Sequence, residues 1–203
     1  MKKNIRKNNR GLRFLLQYWQ RYCTLEDWHT DWAKRHIHVL SKRKGDILYY
    51  DGEKQKRVYL VAKGLLARVR YDDSGKRQIL SVALPGMALM TTEHLYSDTP
   101  SVGDIIVLRP DTLIIQIPYN AVLAFKEQEP QLNTLIAVLT NKNKKQMSAL
   151  SRIMHEREPF RRYLLFANDM SQIHRNLTHT ETAEILGISL SSSQRYYKRW
   201  LES

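Results

Sequence analysis

The sequence predicts an α+β protein: an N-terminal β-roll of the jelly-roll kind, a long helix, and a C-terminal pair of short helices joined by a tight turn. Three observations predict it. Between Ile37 and Pro118 apolar residues recur with period two and glycine-containing turns interrupt them. From Pro130 the period becomes helical and holds to about Glu158. From Thr178 to Leu201 a capping signal, a glycine stop and a second capping signal follow in close order. The organisation expected is 1–129 for the N-terminal helices and roll, 130–158 for the long helix, and 159–203 for the C-terminal helices.

Composition bounds the function. The 203 residues are 42% hydrophobic and 26% charged, a globular balance, and carry a formal net charge of +13. Such a charge favours polyanionic partners, nucleic acid above all. Cys23 is the single cysteine. An intrachain disulfide, a thiolate zinc site and a multi-cysteine iron–sulfur cluster are therefore excluded, and a reducing cytoplasm is the expected location. No apolar run approaches the roughly 18 residues of a membrane span. Arg13 and Gln17 interrupt Leu12–Trp19 and no small-residue cleavage site follows, so no signal peptide and no membrane partner are expected. There is no Gly-rich phosphate loop, nucleophile elbow or metalloprotease motif. The chain is read as a non-enzyme with no catalytic residues, metal or cofactor.

Taken in order, Met1–Gly11 is a basic arm (Lys2, Lys3, Arg6, Lys7, Arg10), expected to be loose. Leu12, Leu15, Leu16 and Trp19 recur at helical spacing, and a second helix is expected from a cap at Thr24 through Trp28 and Trp32. Strands are predicted over Ile37–Leu40, Ile47–Tyr50, Val58–Lys63, Leu65–Tyr71, Gln78–Leu84, Ile105–Arg109 and Leu113–Ile117. His36 and His38 would share one strand face, though with no third ligand beside them zinc is not expected. A short helix follows over Tyr119–Phe125. The long helix carries a seam of Leu132, Ile136, Leu139, Asn143, Gln146, Leu150, Ile153 and Arg157, in alternating steps of four and three. Such a seam can face a second copy or the chain's own barrel; its length favours a homodimer, with Asn143 fixing register. Arg161 and Arg162 then precede an apolar helix, Tyr163–Met170, and a loop, Ser171–Asn176.

The C-terminal pair begins with Thr178 or Thr180 as N-cap, and Glu181 lies at capping-box distance from Thr178. Gly187 supplies the left-handed residue that ends the first helix, Ile188 fills the corner, and Ser189 caps Leu190–Leu201. On that second helix Ser193, Tyr196 or Tyr197, and Trp200 lie on one side; Ser191, Gln194, Arg195, Lys198 and Arg199 lie mainly on the other. This is a helix-turn-helix layout with a polar, basic outer face. Arg195 is expected to read bases with Gln194 and Ser191 beside it, and Lys198, Arg199, Ser189, Ser192 and Thr178 to hold phosphates. The same residues would also make an ordinary helical hairpin with a solvated basic face, or a surface for a protein partner.

The ordered set resembles the Crp/Fnr family of transcription regulators over about residues 15 to 201. The matching residues are Lys44-Gly45-Asp46-Ile47-Leu48, Asp51-Gly52, Val58-Tyr59-Leu60-Val61, Lys63-Gly64, Asp73-Ser74-Gly75-Lys76, Gln78-Ile79-Leu80, Leu84-Pro85-Gly86, Ile117-Pro118, and Ala183-Glu184-Ile185-Leu186-Gly187-Ile188-Ser189 with Arg195. The resemblance implies a cyclic-nucleotide-binding-like roll, a dimerisation helix, double-stranded DNA with a palindromic site, RNA polymerase as a further partner, and a small-molecule effector. It also implies a pocket segment, Met87–Leu108, in which Met90, Thr91, Thr92, Glu93, His94 and Val102 are the candidate residues. In cyclic-nucleotide binders of the family a Gly-Glu pair and an Arg occupy that segment. Here Thr92 precedes Glu93, Val102 falls where the Arg should be, and the segment holds no Arg or Lys. A buried phosphate would lack its cation, so cyclic AMP is not expected. His94 and Met90 are haem-ligand types, but lone residues of these kinds are more often structural. The helix-turn-helix departs as well: Leu190 and Ser191 replace the family's Arg-Glu, Ser193 stands at a branched apolar position, and with the sequence ending at Ser203 no wing hairpin is expected.

Overall fold

The computed structural model describes residues 2–89, 100–125 and 130–202. Helices α1 (Lys2–Trp19) and α2 (Asp27–His36) precede eight strands: β1 (His38–Lys42), β2 (Ile47–Tyr49), β3 (Arg57–Lys63), β4 (Leu66–Tyr71), β5 (Arg77–Ala83), β6 (Ala88–Leu89), β7 (Asp104–Val107) and β8 (Thr112–Pro118). Six helices follow: α3 (Tyr119–Phe125), α4 (Pro130–Met154), α5 (Pro159–Asp169), α6 (Ser171–His174), α7 (His179–Leu186) and α8 (Leu190–Leu201). The strands form two antiparallel sheets, ordered β1-β8-β3-β6 and β2-β7-β4-β5. Among the described residues no helix is long and apolar enough to cross a membrane.

Both faces of each sheet are covered. Tyr59, Val61, Leu66, Ile105, Val107 and Ile114 point between the sheets. Val58, Leu60, Ile115 and Ile117 point outward from the first sheet, into a cluster with Leu15 and Trp19 of α1, Trp32 of α2, and Leu132, Leu135 and Leu139 of α4. Ala67, Val69, Ile79, Val82 and Ile106 point outward from the second, into a cluster with Leu150, Ile153, Tyr163, Phe166, Ile185 and Leu186. Two covered faces explain why Val58–Val61 and Ile114–Ile117 read as almost unbroken apolar runs. At the β3–β4 turn Gly64 has φ +94°, and a Cβ there would collide with the side chain of Thr112; only glycine meets both conditions.

Several expectations change. The basic arm is helical from Lys2. Its Lys and Arg residues are good helix formers, and the half of α1 after Gly11 is anchored in the core, so the helix propagates outward from a paid nucleus. Gly11 lets α1 approach Val39, where any Cβ would clash. The cap of α2 is Glu26, not Thr24; the amide of Glu26 donates to Nδ1 of His29, which is fully buried. His36 ends α2 and packs on Trp32, so it shares no strand face with His38, and no cluster able to hold a metal exists among the described residues. The long helix stops at Met154, α5 begins early at Pro159 under a cap from Glu158, and Ser171–His174 is a short helix rather than loop.

The largest correction concerns the seam predicted for a homodimer. Leu132, Ile136, Leu139, Leu150 and Ile153 are buried against the chain's own roll and its attached helices, and Gln146 both accepts from the amide of Val82 and donates to its carbonyl, each at 2.9 Å. Asn143 is half-buried in the same helix. The sheets offer apolar outer faces within the same chain, and a seam that meets such a face first has nothing left for a partner. The side of α4 left open carries Ala137, Asn141, Lys144, Lys145, Met147 and Ser148.

Candidate nucleic-acid interface

The helix-turn-helix forms as its punctuation dictates. Thr178, rather than Thr180, caps α7: its hydroxyl accepts from the amide of Glu181 at 3.2 Å, and the Glu181 carboxylate accepts from the amide of Thr178 at 2.8 Å. Gly187 sits at φ 63°, ψ 36°, ending α7 in the left-handed conformation. Ser189 caps α8 by accepting from the amide of Ser192 at 3.0 Å, and its hydroxyl also bonds those of Ser191 and Ser192.

The outer face of α8 is as expected in most positions. Ser191, Gln194, Arg195 and Lys198 are exposed. Arg195 leans along Tyr196, its guanidinium carbon 5.2 Å from the ring centroid, and no acid among the described residues pairs with it. Arg199 is exposed but stacks on Phe160 of α5 at 3.8 Å, a cation–π contact that fastens α8 to α5 and holds this cation at the rim of the face. Thr178 and Ser189 lie at the N-termini of two helices, where free amides add to a field attractive to anions.

Under this face lies an aromatic hub. His174 of α6 is 7% exposed and meets the rings of Tyr163, Phe166, Tyr197 and Trp200. Its Nε2 bonds the Tyr163 hydroxyl at 2.8 Å, while its Nδ1 is buried without a partner. Burial, reinforced by His179 and Arg175, pushes its pKa below the usual imidazole value. Ser193 is 0% exposed, and its hydroxyl oxygen has no hydrogen-bond partner. Its buried position, read from the spacing, is therefore a local defect in the packing of α8.

Sequence reasoning missed what holds this unit in place. Arg109, at the β7–β8 turn, bonds both oxygens of Glu181, at 2.6 and 2.7 Å, and also the carbonyl of Asn176. Arg77 at the start of β5 bonds Glu184 at 2.8 Å. Arg162 donates to the carbonyl of Leu186 at 3.1 Å, closing the last turn of α7. Arg109 and Glu181 lie 72 residues apart, Arg77 and Glu184 107, and Arg162 and Leu186 24, and no local pattern pairs them.

The candidate pocket residues fare differently. Met90, Thr91, Thr92, Glu93 and His94 lie outside the described residues. Val102 does not line the interior: its side chain is 57% exposed, and only its carbonyl turns inward, because the adjacent Gly103 (φ 84°) packs directly on the backbone of β4.

Two outcomes follow from the hub. Ser193→Ala removes a buried hydroxyl that bonds nothing, so its unfolding free energy should rise by about 1 kcal/mol in urea titrations, against the usual loss at a core position. His174, with its folded pKa below the unfolded value of about 6.5, contributes stability that is complete above that pH and is lost as the pH falls through the depressed folded value. Melting midpoints measured from pH 7.5 to 5 should decline more steeply in the wild type than in His174→Phe.

Comparison with known proteins bears on the whole arrangement. Residues 39–129 match the family model of the cyclic nucleotide-binding domain. No curated protein matches the chain. Among solved structures, FixK2 from Bradyrhizobium japonicum is 18% identical, with a TM-score of 0.68 over 82% of this chain and 85% of that one. A putative transcriptional regulator of the Crp/Fnr family from Eubacterium rectale is 15% identical, with a TM-score of 0.65 over 87% and 84%. A cyclic nucleotide-binding domain containing protein from Listeria monocytogenes is 14% identical, with a TM-score of 0.69 over 95% and 91%. Residues 39–129 thus resemble the cyclic nucleotide-binding domain in sequence, and the chain shares its fold with these three solved structures.

Proposed function

We propose that the chain is a DNA-binding transcription regulator of the Crp/Fnr type, acting in the cytoplasm and without catalytic activity. The observation that carries this reading is the outer face of α8. Gln194, Arg195 and Lys198 project together from a helix that is capped, glycine-punctuated and fixed from behind. Arg195 reads a base edge bidentately, Gln194 and Ser191 contact neighbouring bases, and Lys198, Arg199, Thr178, Ser189 and Ser192 bond phosphates. Two copies related by a two-fold axis would set two such helices into successive major grooves, so the target is a palindrome. The dimer contact falls on the open side of α4, around Ala137, Asn141 and Lys144, since the opposite side is filled by the roll. The likeness in fold to the putative transcriptional regulator of the Crp/Fnr family from Eubacterium rectale supports the reading. The roll serves as a sensor for an effector other than cyclic AMP, because Met87–Leu108 supplies no cation for a cyclic phosphate.

The test is selection of bound fragments from a random duplex library at roughly physiological salt. A palindromic motif should emerge for the wild type. Arg195→Ala should cost about 1–3 kcal/mol on that site and relax the base choice at one position of each half-site; an unchanged preference would remove Arg195 from base reading. Lys198→Ala should weaken all duplexes alike and lower the slope of log K against log salt by about one, measured by fluorescence anisotropy. Absence of binding even at low salt overturns the regulator reading.

A further inference from the structure

Among the Asp, Glu, Lys and Arg residues described, only Glu181 and Arg68 are buried. Glu181 is matched by Arg109. Arg68 has no such match. Strand β4 alternates, sending Ala67 and Val69 outward and Leu66 with Arg68 into the roll, where Arg68 is 8% exposed. Its Nη2 donates to Oε1 of Gln55 at 2.6 Å, and its Nη1 to the carbonyls of Val102 at 3.3 Å and Gly103 at 3.2 Å. The guanidinium carbon is 5.5 Å from the ring centroid of Tyr49. Among the described residues no Asp or Glu forms an ion pair with it, and Asp51 acts on it only from a distance.

These contacts fix the fork without cancelling its charge. Gln55 is itself held by donation to the carbonyls of Arg57 and Leu89, which turns its Oε1 onto Arg68. The hydroxyl of Tyr49 has the carbonyls of Glu53 and Ser101 within reach of its one proton and accepts from the amide of Ser101. Residues 101–103 are thereby pinned against β4, where Gly103 alone allows the approach. A guanidinium carries five N–H groups; the protein bonds use part of that set. A buried charge that meets only neutral acceptors remains uncompensated, and burial accordingly depresses its pKa. Leu or Met would suit a roll interior lined by Leu66, Ile105 and Ile114 without that cost.

We propose that Arg68 is the binding group of an oxyanion site inside the roll, which takes the carboxylate or phosphate of a small effector on its remaining N–H groups. This cation stands on β4, a different place from the Arg of the family's cyclic-nucleotide binders. The site also has a route to the DNA-binding unit, because Ala67 and Val69, on either side of Arg68, form part of the floor on which α5–α8 pack. This inference rests on the sensor role given to the roll above and names the chemistry of its effector.

The test uses the full chain without DNA, so loss of DNA binding would leave it standing. Melting midpoints are measured in sodium chloride and, at matched ionic strength, in sodium phosphate or sodium acetate, for wild type, Arg68→Met and Arg68→Lys. The wild type should show a saturable rise of about 2–4 °C with at least one anion, and the anion that gives it identifies the group recognised. Arg68→Met should show no such rise and should melt no lower than wild type in chloride. Arg68→Lys keeps the charge but loses the fork, and should need several-fold more anion for half its effect. A wild type indifferent to both anions, or an equal response in Arg68→Met, overturns the site. If Arg68→Met does not fold, a half-effect concentration equal in wild type and Arg68→Lys overturns it instead.

Discussion

The pairing of Arg109 with Glu181 is the contact on which the placement of the helix-turn-helix depends. One carboxylate accepts from the amide of Thr178 and takes both arms of a guanidinium from the turn between β7 and β8. Burial alone would raise its pKa, but the bonds from Arg109 and Thr178 outweigh burial and hold the carboxyl ionised below its ordinary value. The residue that starts α7 is therefore also the residue that attaches it, and the local cap and the long-range dock cannot be altered separately. Arg77 and Glu184 repeat the attachment one turn further along the same helix. Removing one member of the buried pair would leave the other desolvated and alone, which costs far more than the pair is worth as a surface bridge.

Much of this was legible in the sequence, for reasons that differ by element. The ends of α7 and α8 are written in single residues with strong conformational preferences, Thr178, Glu181, Gly187 and Ser189, and each took the role its chemistry assigns. The strands were legible because Lys44-Gly45-Asp46, Asp51-Gly52 and Asp73-Ser74-Gly75 break the chain at turns that demand positive φ. The two-residue strand β6 was not, since it is too short to show a period. The outer face of α8 follows from spacing alone, yet the diversion of Arg199 onto Phe160 depends on a helix more than thirty residues earlier. Arg68 shows the limit most clearly. It lies within a predicted strand, but a sequence does not show that its partners among the described residues are neutral acceptors rather than an acid.

The seam of α4 was misassigned for a related reason. Apolar steps of four and three state that a helix buries one face; they do not state against what. The roll has two covered sheets, and the covering layers come from helices of the same chain, so the demand for apolar cover was already met internally. Gln146, which would have been an ambiguous polar break in a coiled coil, instead bonds both the amide and the carbonyl of Val82 at the edge of the roll. A polar residue in an apolar seam is informative only once its partner is known.

The long helix α4 enters one apolar cluster with Leu132, Leu135 and Leu139 and another with Leu150 and Ile153. The second cluster is shared between the β2-β7-β4-β5 sheet and the C-terminal helices, so those helices lack a complete core of their own. Recombination is the process in which this matters. A C-terminal unit grafted from another protein would arrive without a matching floor, and a new roll would arrive without a matching ceiling. Replacements at Ala67, Val69, Ile79 or Val82 must therefore be answered by changes in α5–α8, and the two halves of this chain are expected to diverge as co-adapted surfaces rather than as exchangeable parts.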